Sequence, residues 1–474
     1  MDVLMIAAGL SPYTAQAPAG EVVAALSKTL RQQGHDVTVA LPRYPELEAS
    51  GLLLARRLTP LRLESGAEAN VLDGQLPSGV RLVLFDAPGL FDRDVDLAAE
   101  DEDAARRFSF FAHAAAAFVG QRAAQGEGLG VVHAHDWPGA LALALLRASG
   151  ASRAPAVLTV HDVTRQGVFP VKLLGALGVP ADSGVAADLK LGNKLSALKA
   201  GLLAADAVTT VSPSYALEMS DAARAGALAA VVTGCRAPVI GIHNGIDYSR
   251  YNPATDAALV SRYDAEDPSN KGRCKAALLR ELGLELELDQ PLVAYVGALS
   301  KEKGADLLSA ALPSLQKNRL SLVVAGRGSD DLAAAFSAAA EARPDSFAFR
   351  RDPESALERR IFAAADIVLV PSRHEPCGDA QLIAQRFGAL PVVHATGGLK
   401  DTVVDCDAEL ETGTGFVFDR MTQRALIGAV QRAIAAYASP AWPRLVRRVM
   451  RLDLAWDRAA RRYLQVYRQA PARS

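Results

Sequence analysis

The chain alternates short apolar runs with longer segments in which apolar residues recur every three or four positions. In the first half, the apolar runs predict strands at Val3–Ala7, Val37–Leu41, Leu82–Phe85, Val131–Ala134, Ala156–Val160, Ala207–Thr210 and Val239–Ile240. Between the first two, Glu21–Gln33 has the helical period, and Gly34 is placed to end that helix. For residues 47–79 the pattern predicts only loop and short strand. Alternating strands and helices predict a parallel sheet, so we expect a Rossmann-like first half.

The same alternation starts again in the second half. Here the predicted strands are Leu292–Val296, Leu320–Ala325, Phe347–Phe349, Ile367–Val370, Pro391–Val393 and Phe416–Phe418. Alanine-rich segments such as Ala305–Gln316 and Asp331–Ala342 have the helical period and separate these strands. The sequence therefore predicts a second doubly wound domain.

The stretch between the two halves, Asp247–Gln290, is polar, contains two X-Pro turns and has no strong strand, which is typical of a connection. At the C-terminal end, Ala455–Tyr467 predicts an amphipathic helix. We therefore expect an α/β protein with Rossmann-like domains at 1–246 and 291–454 that face a cleft. Residues 247–290 would connect them, and a C-terminal helix within 455–474 would pack back across.

Length and charge limit the possible partners. With 474 residues, of which 50% are hydrophobic, the chain is long enough for two or three buried cores. Its formal net charge is −2 with acids and bases intermixed, so no broad basic surface indicates nucleic acid or a membrane. A small or neutral substrate fits this balance better, and the sequence leaves the oligomeric state open.

The cysteines and the N-terminus indicate a cytoplasmic protein. The chain has four cysteines without a Cys-x-x-Cys pair, which argues against a zinc site or a disulfide framework and favours a reducing compartment. No apolar run approaches the roughly 18 residues of a membrane helix. Met1 and Asp2 lead straight into the first strand without a basic segment, so no export signal is expected.

The segment Pro371–Val403 combines an acid with two glycine turns. Glu375 lies in a Glu-Pro-Cys-Gly turn after a strand, and Asp379–Phe387 predicts a helix whose first amides point back toward that turn. A second turn, Thr396–Gly398, follows the next strand, and its glycines allow close approach of backbone amides to an anion. Each turn alone is compatible with ordinary loop chemistry. Together they favour two phosphate-binding nests in one βαβ unit.

Polar residues also follow the predicted strands of the first half, in His133–Trp137, Thr159–Asp162 and Val211–Tyr215. The carboxyl ends of strands line the ligand crevice in open α/β sheets, so these segments are candidates for a site. A structural role for His161 and a helix N-cap role for Asp136 remain alternatives. Histidines such as His133 and His135 can ligate a metal, but no nearby residue completes a ligand set.

Two further positions are candidates for substrate contact. Asn244 begins an Asn-Gly turn where the chain leaves the first domain, and Lys303 lies in the loop between the first strand and first helix of the second domain. A cation at that point can neutralise a diphosphate. An ordinary turn and a solvated lysine are the alternatives.

Six motifs occur in an order that resembles one family over essentially the whole chain. They are HAHDW at 133–137, LTVHD at 158–162, NKLSALKAGLLAADAVTTVSPSYALE at 193–218, GIHNGIDYSRYNPATD at 241–256, SRHEPCG at 372–378 and TGGLKDTV at 396–403. The chain resembles the bacterial glycogen synthases and plant starch synthases, which are retaining glucosyltransferases of the GT-B fold. This resemblance implies transfer of glucose from ADP-glucose to the non-reducing end of an α-1,4-glucan, with retention of configuration and without a metal or other cofactor.

The resemblance also implies roles for individual residues. Glu375 corresponds to the acid at the donor glucose, and Lys303 to the cation on its diphosphate. His161 corresponds to the histidine near the 6-hydroxyl of the donor, and Asp136 to the acid of the HAHDW turn. The remaining donor-binding positions implied by the family are Asn244, Cys377, Gly378, Thr396, Gly397 and Gly398.

The N-terminal loop departs from the family pattern. The family has Lys-x-Gly-Gly-Leu-Gly-Asp-Val, in which the lysine and glycines wrap the donor. In this chain the lysine is replaced by Ala15, the adjacent glycines by Ala17 and Pro18, and the aspartate by Glu21. Proline has no N–H to donate and a fixed φ, so this loop is not expected to form the same amide nest.

A second departure is Ala298, which stands where the family usually has an arginine. Loss of one group that stabilises developing charge typically lowers a rate by about 10²–10³-fold. Arg165 stands where the family has a tyrosine, and we hypothesise that its guanidinium partly replaces the missing charge at the donor.

Three hypotheses follow. The first is an ADP-glucose-dependent glucosyltransferase of the glycogen or starch synthase type. The second is a weak or inactive paralogue that binds glucan or nucleotide as a scaffold or regulator, and the altered loop favours it. The third is a GT-B glycosyltransferase with another donor or acceptor.

Overall fold

The computed structural model describes residues 1–14, 19–92 and 99–471. The chain forms two compact units, one from Met1–Asn244 together with Trp456–Ser474 and the other from Gly245–Ala455. None of the helices in the described ranges is long and apolar enough to span a bilayer.

The first unit is built on a ten-stranded sheet in its described part. In spatial order, its main path runs through Ile240–Gly241, Ala207–Thr210, Ala156–Val160, Val131–His135, Asp2–Ile6, Asp36–Pro42, Arg81–Asp86, Glu68–Gln75 and Leu54–Arg56, and Leu61–Arg62 pairs with Glu68–Gln75 off this path. Pairing is parallel from the first of these strands to Arg81–Asp86 and antiparallel beyond it. A small antiparallel sheet joins Lys190–Leu191, Lys194–Ser196 and Val168–Pro170.

Helices surround this sheet. They span Gly20–Gln32, Pro45–Ala49, Glu102–Ala124, Asp136–Ser149, Gly184–Leu189, Ala197–Ala204, Pro213–Glu218, Ala222–Ala225, Leu228–Thr233 and Trp456–Gln469, with a 3₁₀ turn at Val171–Leu173. The helix Gly20–Gln32 shows why they form, because Val22, Val23, Leu26 and Leu30 recur on one face and are buried. The helix Trp456–Gln469, from the far end of the chain, packs against it in the same unit.

The second unit has a six-stranded parallel sheet. In spatial order its strands are Phe347–Arg351, Ser321–Gly326, Leu292–Val296, Ile367–Val370, Leu390–His394 and Phe416–Phe418. Its helices span Lys271–Leu282, Ala305–Leu315, Asp330–Ala342, Ser355–Ala364, Ala380–Arg386, Gly397–Thr402, Gln423–Tyr437 and Trp442–Met450. Numbered along this unit, the strand order is 3-2-1-4-5-6, the order of a dinucleotide-binding Rossmann sheet.

The predicted strands of both halves are confirmed, with ends that differ by one or two residues. Their interiors are buried on both faces, as expected for parallel strands covered by helices. Residues 47–79, predicted only as loop and short strand, contain the antiparallel strands Leu54–Arg56, Leu61–Arg62 and Glu68–Gln75 and the end of the helix Pro45–Ala49. Glu68–Gln75 contains Asn, Asp and Gly, which are poor strand formers, and it is a strand because Asn70–Gln75 pairs with Arg81–Asp86 and its first two residues pair with Leu61–Arg62.

Residues 247–290, expected to form a connection, instead belong to the second unit. They contain the helix Lys271–Leu282, whose Leu278 and Leu279 lie in the core. The segment looks polar because two buried residues are lysines with internal partners. The Lys271 ammonium donates to the carbonyls of Ala363 and Phe387, both at 2.9 Å, so it caps the C-terminal ends of the helices Ser355–Ala364 and Ala380–Arg386.

Candidate active site

The second unit has a topological switch point between Leu292–Val296 and Ile367–Val370. These strands are adjacent, but the chain leaves them toward opposite edges of the sheet. Loops that follow such strands diverge and open a crevice at their carboxyl ends, where ligands bind in doubly wound folds. The two loops here are 297–304 and 371–379.

Glycine allows these loops to approach each other. Gly304 has φ of +74°, and a Cβ at this position would lie 1.9 Å from the carbonyl oxygen of Pro371. Arg373 fastens the same contact, because its guanidinium makes two bonds of 2.6 and 3.0 Å to the carboxylate of Asp306. Its backbone N–H donates to the carbonyl of Glu302 at 2.8 Å. The loops are therefore held together by backbone packing and a forked ion pair.

This approach brings together Lys303 and Glu375. The Lys303 ammonium lies 2.8 Å from both carboxylate oxygens of Glu375, and the Ser372 hydroxyl donates to one of them at 2.9 Å. Glu375 is 9% exposed. Burial alone would lower the pKa of Lys303, but the charge and hydrogen bonds of Glu375 raise it, so the lysine stays protonated. A fixed cation and a carboxylate thus stand together at the switch point.

The two predicted glycine turns interlock. A Cβ on Gly397 would lie 2.1 Å from the carbonyl oxygen of Glu375, and one on Gly398 would lie 2.3 Å from that of Cys377. The Gly398 N–H donates to the carbonyls of Glu375 and Pro376 at 3.0 and 3.1 Å. The second turn therefore packs against the backbone of the first.

In this packing, backbone amides that the sequence predicts to bind an anion donate to internal carbonyls instead. The Gly398 N–H has the internal acceptors just described, and the Thr396 N–H donates to the carbonyl of His394 at 2.9 Å. Thr396 and Gly398 thus shape the turns through internal hydrogen bonds. Gly378, with φ of +74°, occupies the bend of the first turn just ahead of the helix Ala380–Arg386.

The sequence did not single out Ser372, Arg373 or Gln381, although each contacts the predicted residues. Gln381 is fully buried and donates to the carbonyls of Cys377 and Gly378, both at 3.1 Å. Its place one helical turn after Gly378 is a sequence signal for such a contact.

The first unit has its own switch point, between Asp2–Ile6 and Val131–His135. The loop after the first of these strands leads into the helix Gly20–Gln32, where Glu21 is exposed in the first turn. Ala15, Ala17 and Pro18 lie outside the described residues. The second strand leads directly into the helix Asp136–Ser149.

Three histidines occupy the ends of the strands next to this point. His133 is fully buried, with Nε2 2.6 Å from the Thr159 hydroxyl and Nδ1 2.7 Å from the Tyr467 hydroxyl. His135 Nδ1 lies 3.0 Å from His161 Nε2. Burial lowers the pKa of His133 to about 3 and also lowers the pKa values of His135 and His161. All three are therefore neutral near pH 7.

Asp136 has a different partner from the one its position before a helix indicates. It lies inside the helix Asp136–Ser149, with φ of +51°, and its carboxylate accepts from the backbone N–H of His161 at 2.8 Å. Burial raises the pKa of Asp136, whereas the hydrogen bond from the backbone N–H of His161 opposes the rise. The strained backbone thus lets one carboxylate fasten the strand end that carries His161.

Arg165 and Asn244 lie in loops of the first unit. Arg165 is half-buried, and its charge is close enough to lower the pKa of Asp136. The side-chain carbonyl oxygen of Asn244 is buried, and no described residue donates a hydrogen bond to it. A buried acceptor without a partner is uncommon in folded proteins.

Known proteins match the chain from end to end. A family model for the starch synthase catalytic domain matches residues 2–233, and one for glycosyl transferases group 1 matches residues 283–441. The glycogen synthase of Anaeromyxobacter sp. (strain Fw109-5) is 38% identical, with 100% of each chain covered. That of Paramagnetospirillum magneticum is also 38% identical, over 99% of this chain and 97% of the relative.

Solved structures agree with these relatives. The catalytic domain of starch synthase IV from Arabidopsis thaliana, bound to ADP and acarbose, has a TM-score of 0.89 at 29% identity, covering 100% of this chain and 99% of that one. A sucrose-phosphate synthase from Thermosynechococcus elongatus, with a TM-score of 0.62 at 19% identity over 99% of this chain and 98% of its own, shares the fold. The chain therefore belongs to the glycogen and starch synthase family, glycosyltransferases with the GT-B fold.

Proposed function

We propose that the protein transfers glucose from ADP-glucose to the non-reducing end of an α-1,4-glucan, with retention of configuration. The observation that carries the proposal is the contact between Lys303 and Glu375 at the switch point of the second unit. The structural relative from Arabidopsis binds ADP and acarbose, which supports a nucleotide and a glucan-like sugar as ligands. We take ADP-glucose as a substrate and assign no cofactor.

The chemistry of the transfer explains why these two charges are needed. When the bond from the sugar to the diphosphate breaks, negative charge grows on the leaving group and positive charge grows on the glucosyl carbon. A protonated Lys303 stabilises the first, and the Glu375 carboxylate stabilises the second. The ion pair keeps the lysine charged and both groups fixed, so little reorganisation is needed when the charges develop.

The remaining predicted residues receive proposed roles from the same resemblance. His161 would contact the 6-hydroxyl of the donor, with Asp136 holding its backbone in place. Glu21, Arg165, Asn244, Cys377 and Gly378 would line the donor, while Thr396, Gly397 and Gly398 would shape the turn beneath it. For the last three, the internal hydrogen bonds and close packing favour this structural part in donor binding.

The decisive experiment measures ADP release from ADP-glucose in the presence of glycogen. Glu375→Gln keeps the size of the side chain and removes its charge, so kcat is expected to fall about 10²–10³-fold, as when one charge-stabilising group is lost. Glu285→Gln, at an exposed position of the same unit, is the control and should keep wild-type activity. A Glu375→Gln enzyme within twofold of wild type would refute the proposed role.

The altered N-terminal loop and Ala298 favour two other possibilities that the same assay separates. If wild-type protein binds ADP or glycogen without turnover, the protein is a binding paralogue. If it turns over only another nucleotide sugar, the loop has changed donor specificity. A screen of nucleotide sugars with wild-type protein therefore comes first.

A further inference from the structure

The side chain of Gln381 connects the two glycine turns of the second unit. Its amide nitrogen donates to the carbonyls of Cys377 and Gly378 in the first turn and to the hydroxyl of Thr402, each at 3.1 Å. That hydroxyl donates in turn to the carbonyl of Gly398 at 2.7 Å. A continuous chain of hydrogen bonds thus joins the turn after Glu375 to the turn that contains Gly398.

The orientation of this amide is determined by its partners. Two of its acceptors are backbone carbonyls, which cannot donate, and the hydroxyl hydrogen of Thr402 is already directed to Gly398. An NH₂ group fits this place because all three neighbours are acceptors, which share its two hydrogens. The amide oxygen of Gln381 is buried, and no described residue donates to it.

We propose that Gln381 is a positioning residue that sets the separation of the two glycine turns and, through them, the affinity for the donor nucleotide. The inference rests on the proposed function, because it assigns the turns to the donor. Gln381 acts on the ligand through the turns. It holds the backbone of Cys377 and Gly378, while the Gly398 N–H holds that of Glu375 and Pro376.

The next turn of the same helix offers a matched control. Gln385 is also fully buried, and its amide nitrogen donates to the carbonyls of Thr402 and Thr414, both at 3.3 Å. Its amide oxygen is likewise buried with no donor among the described residues. Gln385 thus holds the backbone carbonyl of Thr402, whereas the chain of bonds from Gln381 runs through the Thr402 hydroxyl, and neither acceptor of Gln385 lies within the two glycine turns. Changes at Gln385 therefore report the general effect of losing a buried amide from this helix.

The test compares Gln381→Met, Gln381→Glu and Gln385→Met in the full chain. Methionine keeps the length of the side chain and removes the hydrogen bonds, whereas glutamate also sets a carboxylate against the carbonyls of Cys377 and Gly378. A displacement of about 1 Å at a site can cost 10²-fold. We therefore expect the Kd for ADP to rise about tenfold or more in Gln381→Met and further in Gln381→Glu. It should stay within about twofold in Gln385→Met.

Two measurements separate positioning from loss of fold. Thermal unfolding should show similar decreases for Gln381→Met and Gln385→Met, and hydrogen exchange within the two turns, residues 375–378 and 396–398, should accelerate only with Gln381→Met. Equal ADP affinity and equal exchange in the two methionine variants would overturn the inference. If wild-type protein binds no ADP, the proposed function fails, and the exchange comparison still decides whether Gln381 couples the turns.

Discussion

Single side chains show which charged groups this site has and which one, implied by the family resemblance, it lacks. Lys303 and Glu375 form an ion pair that fixes a cation and a carboxylate at the switch point. Ala298 lies in the loop that carries Lys303, and it is exposed where the family resemblance places an arginine. Its carbonyl accepts from the hydroxyl of Tyr295 at 2.6 Å, so the backbone there is already held. A longer side chain can extend from this position without disturbing the core.

Restoring the missing charge is therefore a feasible gain-of-function experiment. Ala298→Arg is expected to raise kcat/KM for ADP-glucose about tenfold, less than the 10²–10³-fold typically lost when such a group is removed from an adapted site. Ala298→Gln, similar in polarity but uncharged, should leave kcat/KM unchanged. Steady-state kinetics check this, and an equal rise in both variants would show that charge is not the cause.

The elements of the fold differ in how well they can be predicted. The parallel strands are evident because their side chains are buried on both faces and form continuous apolar runs, as in Ile367–Val370. The helix Lys271–Leu282 is not evident, because the partners of its buried lysines lie as far away in sequence as Phe387. Sequence patterns report local periodicity, whereas such pairings depend on the assembled fold.

The residues of the candidate site also differ in how well the sequence predicts them. Glu375 and the glycine turns are recognisable because an acid and glycines follow strands within one short segment. The contact of Arg373 with Asp306 joins a loop to the first turn of the helix Ala305–Leu315, far away in sequence, and has no local signature. The hydrogen bonds from the Gly398 N–H to the carbonyls of Glu375 and Pro376 also have no local sequence signature, since they depend on how the two turns pack.

The buried ion pair that fastens the helix Lys271–Leu282 to the sheet supports a stability prediction. Asp366 accepts from the Lys275 ammonium and from the backbone N–H of Leu292, both at 2.8 Å. Asp366→Asn leaves a buried lysine without its counter-charge, so the free energy of unfolding is expected to fall by about 3–5 kcal/mol.

The control for this change is Asp289→Asn, which removes an exposed pair. The side chains of Asp289 and Arg319 are 70% and 75% exposed, and exposed pairs contribute about 0–1 kcal/mol. Denaturant unfolding of the two variants checks the contrast. Similar losses in both would contradict the view that Asp366 anchors the helix.

For the molecule as a whole, the buried histidines predict a loss of stability in acid. In the unfolded chain His133 takes up a proton below its ordinary pKa of 6.5, whereas burial holds its pKa near 3 in the folded protein. The unfolded state therefore binds more protons between these values, and folding stability falls as the pH falls. The slope for one such histidine is about 1.4 kcal/mol per pH unit.

His135 and His161 add to this slope because burial lowers their pKa values as well. Asp136, whose pKa burial raises, opposes it in part. Urea unfolding between pH 7 and pH 5 measures the sum. His133→Gln should reduce the slope by the contribution of one histidine, about 1.4 kcal/mol per pH unit. An unchanged slope would exclude His133 as its source.

The hydrogen bond between Tyr467 and His133 also bears on how the chain is made. The first unit is interrupted in sequence, since Met1–Asn244 is completed by residues from Trp456 onward, whereas the second unit is continuous. A ribosome therefore finishes the second unit while the first still lacks the helix that supplies the hydroxyl to its buried histidine. During synthesis, the first unit therefore begins to be translated before the second unit but is completed after it.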